Sequence, residues 1–187
     1  MEQIRLSKTE RLILANQYII LRKLDTHSTA EFDGIIEALI NGYPYIYNDY
    51  FSYVNDNIDE AVETNVVHVL SMFRNLYTSY QQLPEDEKNT IDESEVVFSG
   101  FDGNNEASHY AFADCLINKY DRFNEVKELI KNKKLEDLHA HFPTLPRYNR
   151  LLERWFSIQK EKEGQFSSSE DTYLTADELK YVLGHSS

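Results

Sequence analysis

The residues best suited to binding a ligand or to catalysis lie between positions 100 and 109. Glycine lets a ligand approach the backbone closely, and the start of a predicted helix offers free N–H groups that attract anions. A small-ligand or anion site, with or without catalysis, would use Gly100, Phe101, Asp102, Gly103, Asn104, Glu106 and His109. The same residue types make turns and helix caps, with the phenylalanine in the core, and we favour this alternative.

Two Glu-x-x-His sequences raise the question of a metal centre. Glu106 with His109, and Glu136 with His139, have the spacing that four-helix di-iron carboxylate proteins use. Such a site needs inward-facing glutamates on two further helices, for which the sequence offers only nominal candidates. Coincidences of this kind are common in a chain with 32 acidic residues and 6 histidines. We therefore predict solvated surface residues, with no metal ion and no cofactor.

Nucleophilic catalysis has little support. Cys115 is the single cysteine, and its neighbours place it inside a helix, where a buried and inert thiol is expected. The sequence contains no G-x-S-x-G elbow, Walker loop, H-E-x-x-H motif or Rossmann fingerprint, so we predict no catalytic residue. One cysteine cannot form an intrachain disulfide, and no secretion signal is visible, so we expect a cytoplasmic protein.

An aromatic run between positions 43 and 53 is a candidate interface. Pro44 and the polar residues of this run leave a short helix and an irregular turn as alternatives. Aromatic residues are enriched at protein interfaces, so a subunit interface or core packing is favoured over a platform for a flat ligand. The candidate interface residues are Tyr43, Tyr45, Tyr47, Tyr50, Phe51 and Tyr53.

The charge is large and unevenly distributed. The net charge is −13, and residues 31–113 carry sixteen acidic side chains against two basic ones. This surplus repels a phosphate backbone, so nucleic-acid binding is disfavoured. A solvated surface is the simplest interpretation, and a docking face for a basic protein partner is the alternative. No apolar run of about 18 residues occurs, so no membrane span is expected.

Hydrophobic periodicity predicts an all-α fold, a compact multihelical bundle around a long central helix at about 59–83. Apolar residues step along that helix by 4, 3, 4, 3, 4, 3 and form a ladder of Val62, Val66, Val69, Phe73, Leu76, Tyr80 and Leu83. One short extended segment near 96–101 is allowed by its β-branched residues and glycine. Helix starts are predicted after Ser7, Ser28 and Thr175, each followed three residues later by glutamate. We expect a single domain over 1–187, or two lobes divided near the acidic connection 84–95.

Five sequence blocks, taken in order, carry a resemblance to a known family. They are 11–18 (RLILANQY), 42–43 (GY), 98–106 (FSGFDGNNE), the residues Tyr148, Leu152 and Trp155, and 174–179 (LTADEL). Together they resemble the YfbU family of uncharacterised bacterial proteins. This resemblance implies a compact multihelical cytosolic fold, an oligomer and no established activity. It carries over no catalytic residue, and the tyrosine-rich stretch 43–53 is not part of the shared pattern.

Three functions follow for comparison. The first is a non-catalytic cytosolic interaction or regulatory protein that self-associates as a homo-oligomer and docks a basic partner. The second is an enzyme or small-ligand binder built around Asp102–His109. The third is a helix-turn-helix DNA-binding regulator formed by the first two helices, which the net charge disfavours. We favour the first.

Overall fold

The computed structural model describes residues 4–25, 29–162 and 173–185. Within these residues the chain is helical and contains no β-sheet, which confirms the all-α prediction. It divides into two units, Met1–Asn57 and Ile58–Ser187, so the acidic segment 84–95 lies inside the second unit. The expectation of one domain over 1–187 stays a prediction.

Unit 1 consists of three helices, α1 (Lys8–Leu24), α2 (Thr29–Asn41) and α3 (Pro44–Phe51). The predicted capping box starts α1, because Ser7 Oγ accepts a hydrogen bond from the Glu10 amide and the Glu10 carboxylate accepts one from the Ser7 amide. The predicted cap Ser28 lies outside the described residues. Most of the aromatic run 43–53 lies in α3, so of the two predicted alternatives it forms the short helix. The buried core of this unit comprises Ala15, Ile35, Ala38, Leu39 and Tyr47.

Unit 2 is organised on one long helix. In chain order its helices are α4 (Glu60–Gln82), α5 (Glu85–Lys88), α6 (Glu93–Val96), α7 (Ala107–Asp114), α8 (Asn124–Lys131), α9 (Leu145–Lys162) and α10 (Ala176–Leu183). A π-helical turn, Cys115–Lys119, extends α7. The capping box predicted at Thr175 and Glu178 starts α10. The polar sequence of 164–172 (GQFSSSEDT) predicts a loop, and this segment lies outside the residues that the structure describes.

The predicted apolar ladder lies on α4, which is the central helix of unit 2. The helix packs against α6, α7, α9 and α10. The middle of the ladder, from Val66 to Leu76, is buried, while Val62 and Leu83 at its two ends are partly buried. Asp59 caps the start of the helix by accepting a hydrogen bond from the Ala61 amide, and Pro84 follows its end.

Two connecting segments have more structure than the sequence predicts. The acidic stretch 84–95 contains α5 and α6, and it buries Ile91. In the segment 96–101, Val96 ends α6 and Phe101 forms one isolated parallel bridge with His139. None of the helices in the described ranges is both long and apolar enough to cross a membrane.

Candidate functional site

The carboxylate of Glu106 is the centre of the candidate site. It is buried and accepts four hydrogen bonds. One oxygen accepts from the backbone amides of Thr144 (2.7 Å) and Leu145 (2.8 Å). The other accepts from the Asp102 amide (2.9 Å) and the Thr144 hydroxyl (2.8 Å). Because Leu145 begins α9, Glu106 serves as an N-terminal cap for a helix 39 residues away, where a negative charge is stabilised.

The second carboxylate, Asp102, closes the turn before α7. Its side chain accepts hydrogen bonds from the Asn105 side-chain amide (2.5 Å) and from the Asn104 backbone amide (2.9 Å). The bond from Asn105, followed by the one from Asn104, holds the pKa of the Asp102 carboxyl below its usual value. Asp102 is buried, whereas the side chain of Asn104 is exposed.

Gly100 allows the two segments of the site to touch. Its φ is +86°, and a Cβ atom there would lie 2.5 Å from the Leu138 carbonyl oxygen. Beside it, the Phe101 amide donates to the Leu138 carbonyl (3.0 Å), and the Ala140 amide donates to the Phe101 carbonyl (2.9 Å). Only glycine combines this backbone angle with such a close approach at low cost.

Tyr148 anchors the same segment from α9. Its buried hydroxyl donates to the Gly100 carbonyl (2.8 Å) and accepts from the Ser99 amide (3.2 Å). Burial raises the pKa of this phenol, and the hydrogen bonds from Ser99 oppose the shift. The Tyr148 ring packs against Phe73, Phe98 and Phe101, with centroid distances of 5.0, 5.9 and 5.6 Å. The candidate segment is thus fixed to α4 and α9 by an aromatic core.

Two histidines border the network. The Gly103 amide donates to Nδ1 of His139 (2.9 Å), which requires that this nitrogen carry no proton. The His139 ring lies edge-on to His141 and to Tyr110. His109 packs on Phe101 with a centroid distance of 5.6 Å. Burial lowers the pKa of His109, and the nearby Glu106 carboxylate partly opposes this effect.

Comparison with known proteins matches most of the sequence to one family. The model of the YfbU domain matches residues 4–184. The chain belongs to the YfbU family. It is 36% identical over 157 residues to UPF0304 protein MJECS11 of Methanocaldococcus jannaschii, a match that covers 84% of this chain and 91% of that protein. This relative is archaeal, so the resemblance is not confined to bacterial proteins.

The structure brings the seven candidate residues of this YfbU domain into one turn and its following helix. The carboxylates accept hydrogen bonds from donors of the chain itself. Of the second Glu-x-x-His sequence, His139 accepts a hydrogen bond from the Gly103 amide, which lies before the first sequence in the chain. Among the described residues, no group of three or more His, Cys, Asp or Glu side chains could hold a metal ion. Cys115 is partly buried in the π-helical turn. Binding of a ligand at residues 100–109 stays a prediction.

Sequence reasoning missed the residues that complete this network. Thr144, Tyr148 and His139 lie about 35 to 50 positions from their partners in the turn, as the bonds to Glu106, Gly100 and Gly103 show. The one available signal was Thr144 itself, a hydroxyl residue directly before a helix and the sort of residue that caps it.

The aromatic run of this YfbU protein splits into two groups. Tyr47 is buried, and its hydroxyl accepts from the Leu6 amide (3.4 Å). Tyr50 and Phe51 pack against the unit 1 core. The other three rings are exposed: Tyr43, Tyr45 and Tyr53. Half of the candidate interface residues are thus accessible to a partner.

A second accessible surface lies on α1. Five large aliphatic side chains of this helix are exposed, with Leu24 at 78% and Ile20 at 58%. We call the set the α1 outer face; it consists of Leu12, Ile13, Ile20, Leu21 and Leu24. One side of α1 therefore has apolar residues in contact with solvent. No residue of this face was among the candidate site residues.

Proposed function

We propose that this YfbU family member is a non-catalytic, cytoplasmic interaction or regulatory protein that self-associates. The observation that carries the proposal is the α1 outer face. Apolar side chains scattered singly on a surface are normal, whereas a contiguous set on one helix marks an interaction site. Burying an aliphatic side chain from full exposure is worth about 1.5–3 kcal/mol, and these five start between 45% and 78% exposed, so together they supply several kcal/mol against the cost of association.

The candidate site at residues 100–109 supports a structural role. Each oxygen of the Glu106 carboxylate already accepts two hydrogen bonds, which uses the usual accepting capacity of a carboxylate. The Asp102 carboxylate accepts two more from its own turn. A ligand would have to displace these internal donors, which costs more than binding to an open site.

A basic protein partner is a further part of the proposal. A cleft of about 350 Å³ in unit 2 is lined by Asp86, Glu87 and Asp177, with Lys180 at its side. Its excess of carboxylates would attract a basic segment and speed the encounter with it. DNA recognition gains no such support, because α2, the helix that would enter the groove, carries three acidic residues and no basic one.

Light scattering coupled to size-exclusion chromatography tests self-association. The purified full chain is measured over a wide concentration range, and its mass is compared with the 22.0 kDa of one chain. We expect a mass at least twice that of the single chain at high concentration, falling on dilution. A mass of one chain throughout would remove the proposal of self-association.

A thermal-shift screen of the same sample tests the competing ligand-binding function. Anions, nucleotides and divalent cations are added one at a time. We expect no ligand to raise the melting temperature by more than the general effect of salt. A specific shift that Glu106→Gln or His109→Gln removes would favour a binding site at residues 100–109.

A further inference from the structure

We infer that the α1 outer face binds the α1 outer face of a second copy, with the two helices antiparallel about a two-fold axis near Asn16 and Gln17. This inference rests on the proposed self-association and names its surface and geometry. The alternative surface within unit 1 is the exposed tyrosine set Tyr43, Tyr45 and Tyr53.

The α1 outer face is a continuous stripe opposite the buried side of the helix. At 3.6 residues per turn, Ile13, Ile20 and Leu24 fall within a narrow sector, and Leu12 and Leu21 flank it on either side. The buried Ala15 lies on the opposite side of α1. That inner side is held by Arg11, which donates to the Leu39 carbonyl (2.8 Å), and by an ion pair of Arg22 with Asp33. The stripe is therefore turned away from α2.

A second copy suits this face because the face is apolar and nearly neutral. A two-fold contact sets identical patches against each other, so a charged patch would repel itself. On a chain with net charge −13, the centre of the α1 outer face carries only the amides Asn16 and Gln17 between its aliphatic residues. Two faces along a helix of 17 residues would bury roughly 1,000 Å², the lower limit of a specific interface.

The antiparallel orientation follows from how polar and apolar residues are spaced. Leu12 with Ile13, and Ile20 with Leu21, lie at equal distances from the midpoint between Asn16 and Gln17. A perpendicular two-fold axis at this midpoint sets each apolar pair beside the apolar pair of the partner. It also opposes the two helix dipoles, whereas a parallel pair would align them.

A single charge at the centre of the stripe tests the surface. Ile20→Glu should leave the fold of one chain intact, because this side chain is already more than half exposed, and should convert the dimer to a monomer. The matched control is Ile40→Glu on α2 of the same unit, where the side chain is 62% exposed and lies outside the α1 outer face. We expect the control to keep the wild-type mass in light scattering, with far-UV circular dichroism unchanged in both variants.

The outcomes separate this inference from the proposed function. If Ile20→Glu keeps the dimer while Tyr45→Ser with Tyr53→Ser dissociates it, the surface is the exposed tyrosine set: self-association stands and this inference falls. If the wild-type chain is monomeric throughout, both fall. Dissociation by Ile20→Glu alone supports the α1 outer face.

Spin labels test the orientation. The single-cysteine variants Asn16→Cys, near the proposed two-fold axis, and Lys23→Cys, about two helical turns away from it, are made in a Cys115→Ser background. In the antiparallel pair, the two labels at position 16 lie roughly 10 Å apart and those at position 23 roughly 20 Å apart, given the rise per residue and the usual interhelical distance. Equal separations at both positions would show a parallel pair and overturn the geometry.

Discussion

The Glu106 carboxylate shows how one residue can look catalytic in a sequence and be structural in the fold. Its type and its spacing from His109 suggest acid–base or metal chemistry, yet its four hydrogen bonds join a turn to the start of α9. The sequence reveals local partners, such as Ser7 with Glu10, because three residues separate them. It does not reveal Thr144, because only the tertiary fold brings that residue to Glu106.

Glu106→Gln should destabilise unit 2 by about 1–3 kcal/mol. The glutamine amide nitrogen is a donor, and on either side it would face two donors of the chain, leaving buried hydrogen-bonding groups unpaired. Urea unfolding followed by the fluorescence of Trp155, the single tryptophan, measures the change. Glu128→Gln on the exposed side of α8 is the control and should stay within about 0.5 kcal/mol of wild type. Equal stability of the two variants would contradict the capping role of Glu106.

His109 makes stability depend on pH in a defined window. Burial lowers its pKa from the usual 6.5, so below that pH the unfolded chain binds more protons than the folded chain. The free energy of unfolding is therefore highest above about pH 6.5. It falls as the pH decreases from there to the pKa of His109 in the folded chain. Melting temperatures of wild type and His109→Gln from neutral pH to about pH 5 test this, and the variant should lose less stability on acidification. Identical slopes would show that His109 does not titrate differently in the two states.

At the level of helices and segments, hydrophobic periodicity predicted the features that lie within one helix. It did not predict the contacts between segments that are distant in the sequence. The ladder on α4 was visible because its period of 3.6 residues is local. The acidic stretch 84–95 looked like a solvated connection, because Ile91 is its one buried residue and the residues around it are polar. The bridge of Phe101 with His139 depends on a close approach that Gly100 permits and that composition alone does not locate.

Gly100→Ala should weaken the contact between the segments around Phe101 and Leu138. The added methyl group meets the Leu138 carbonyl at 2.5 Å, and the backbone angle disfavours alanine, so we expect a loss of about 1–3 kcal/mol. The same change at Gly34 in α2 is the control, because a Cβ there has its nearest neighbour at 3.7 Å and alanine favours a helix. That control should stabilise unit 1 by about 0.5–1 kcal/mol. Thermal unfolding followed by far-UV circular dichroism compares them; a gain at both positions would contradict the strained close approach.

At the scale of the whole molecule, an apolar helix face and a strong negative charge act against each other. The apolar α1 outer face favours association, while two copies that each carry −13 repel over distances that salt screens, with a Debye length of about 10 Å at 0.1 M. Self-association should therefore tighten as salt is added. Docking of a basic partner on the acidic cleft should weaken under the same change, since that attraction is electrostatic.

Sedimentation equilibrium of the full chain at low and high salt measures self-association and its dependence on salt together. We predict a reversible equilibrium between one and two copies, with the dimer fraction rising with both protein concentration and salt and with Ile20→Glu sedimenting as a single chain. A single-chain mass for the wild-type protein at every concentration and salt would contradict the account.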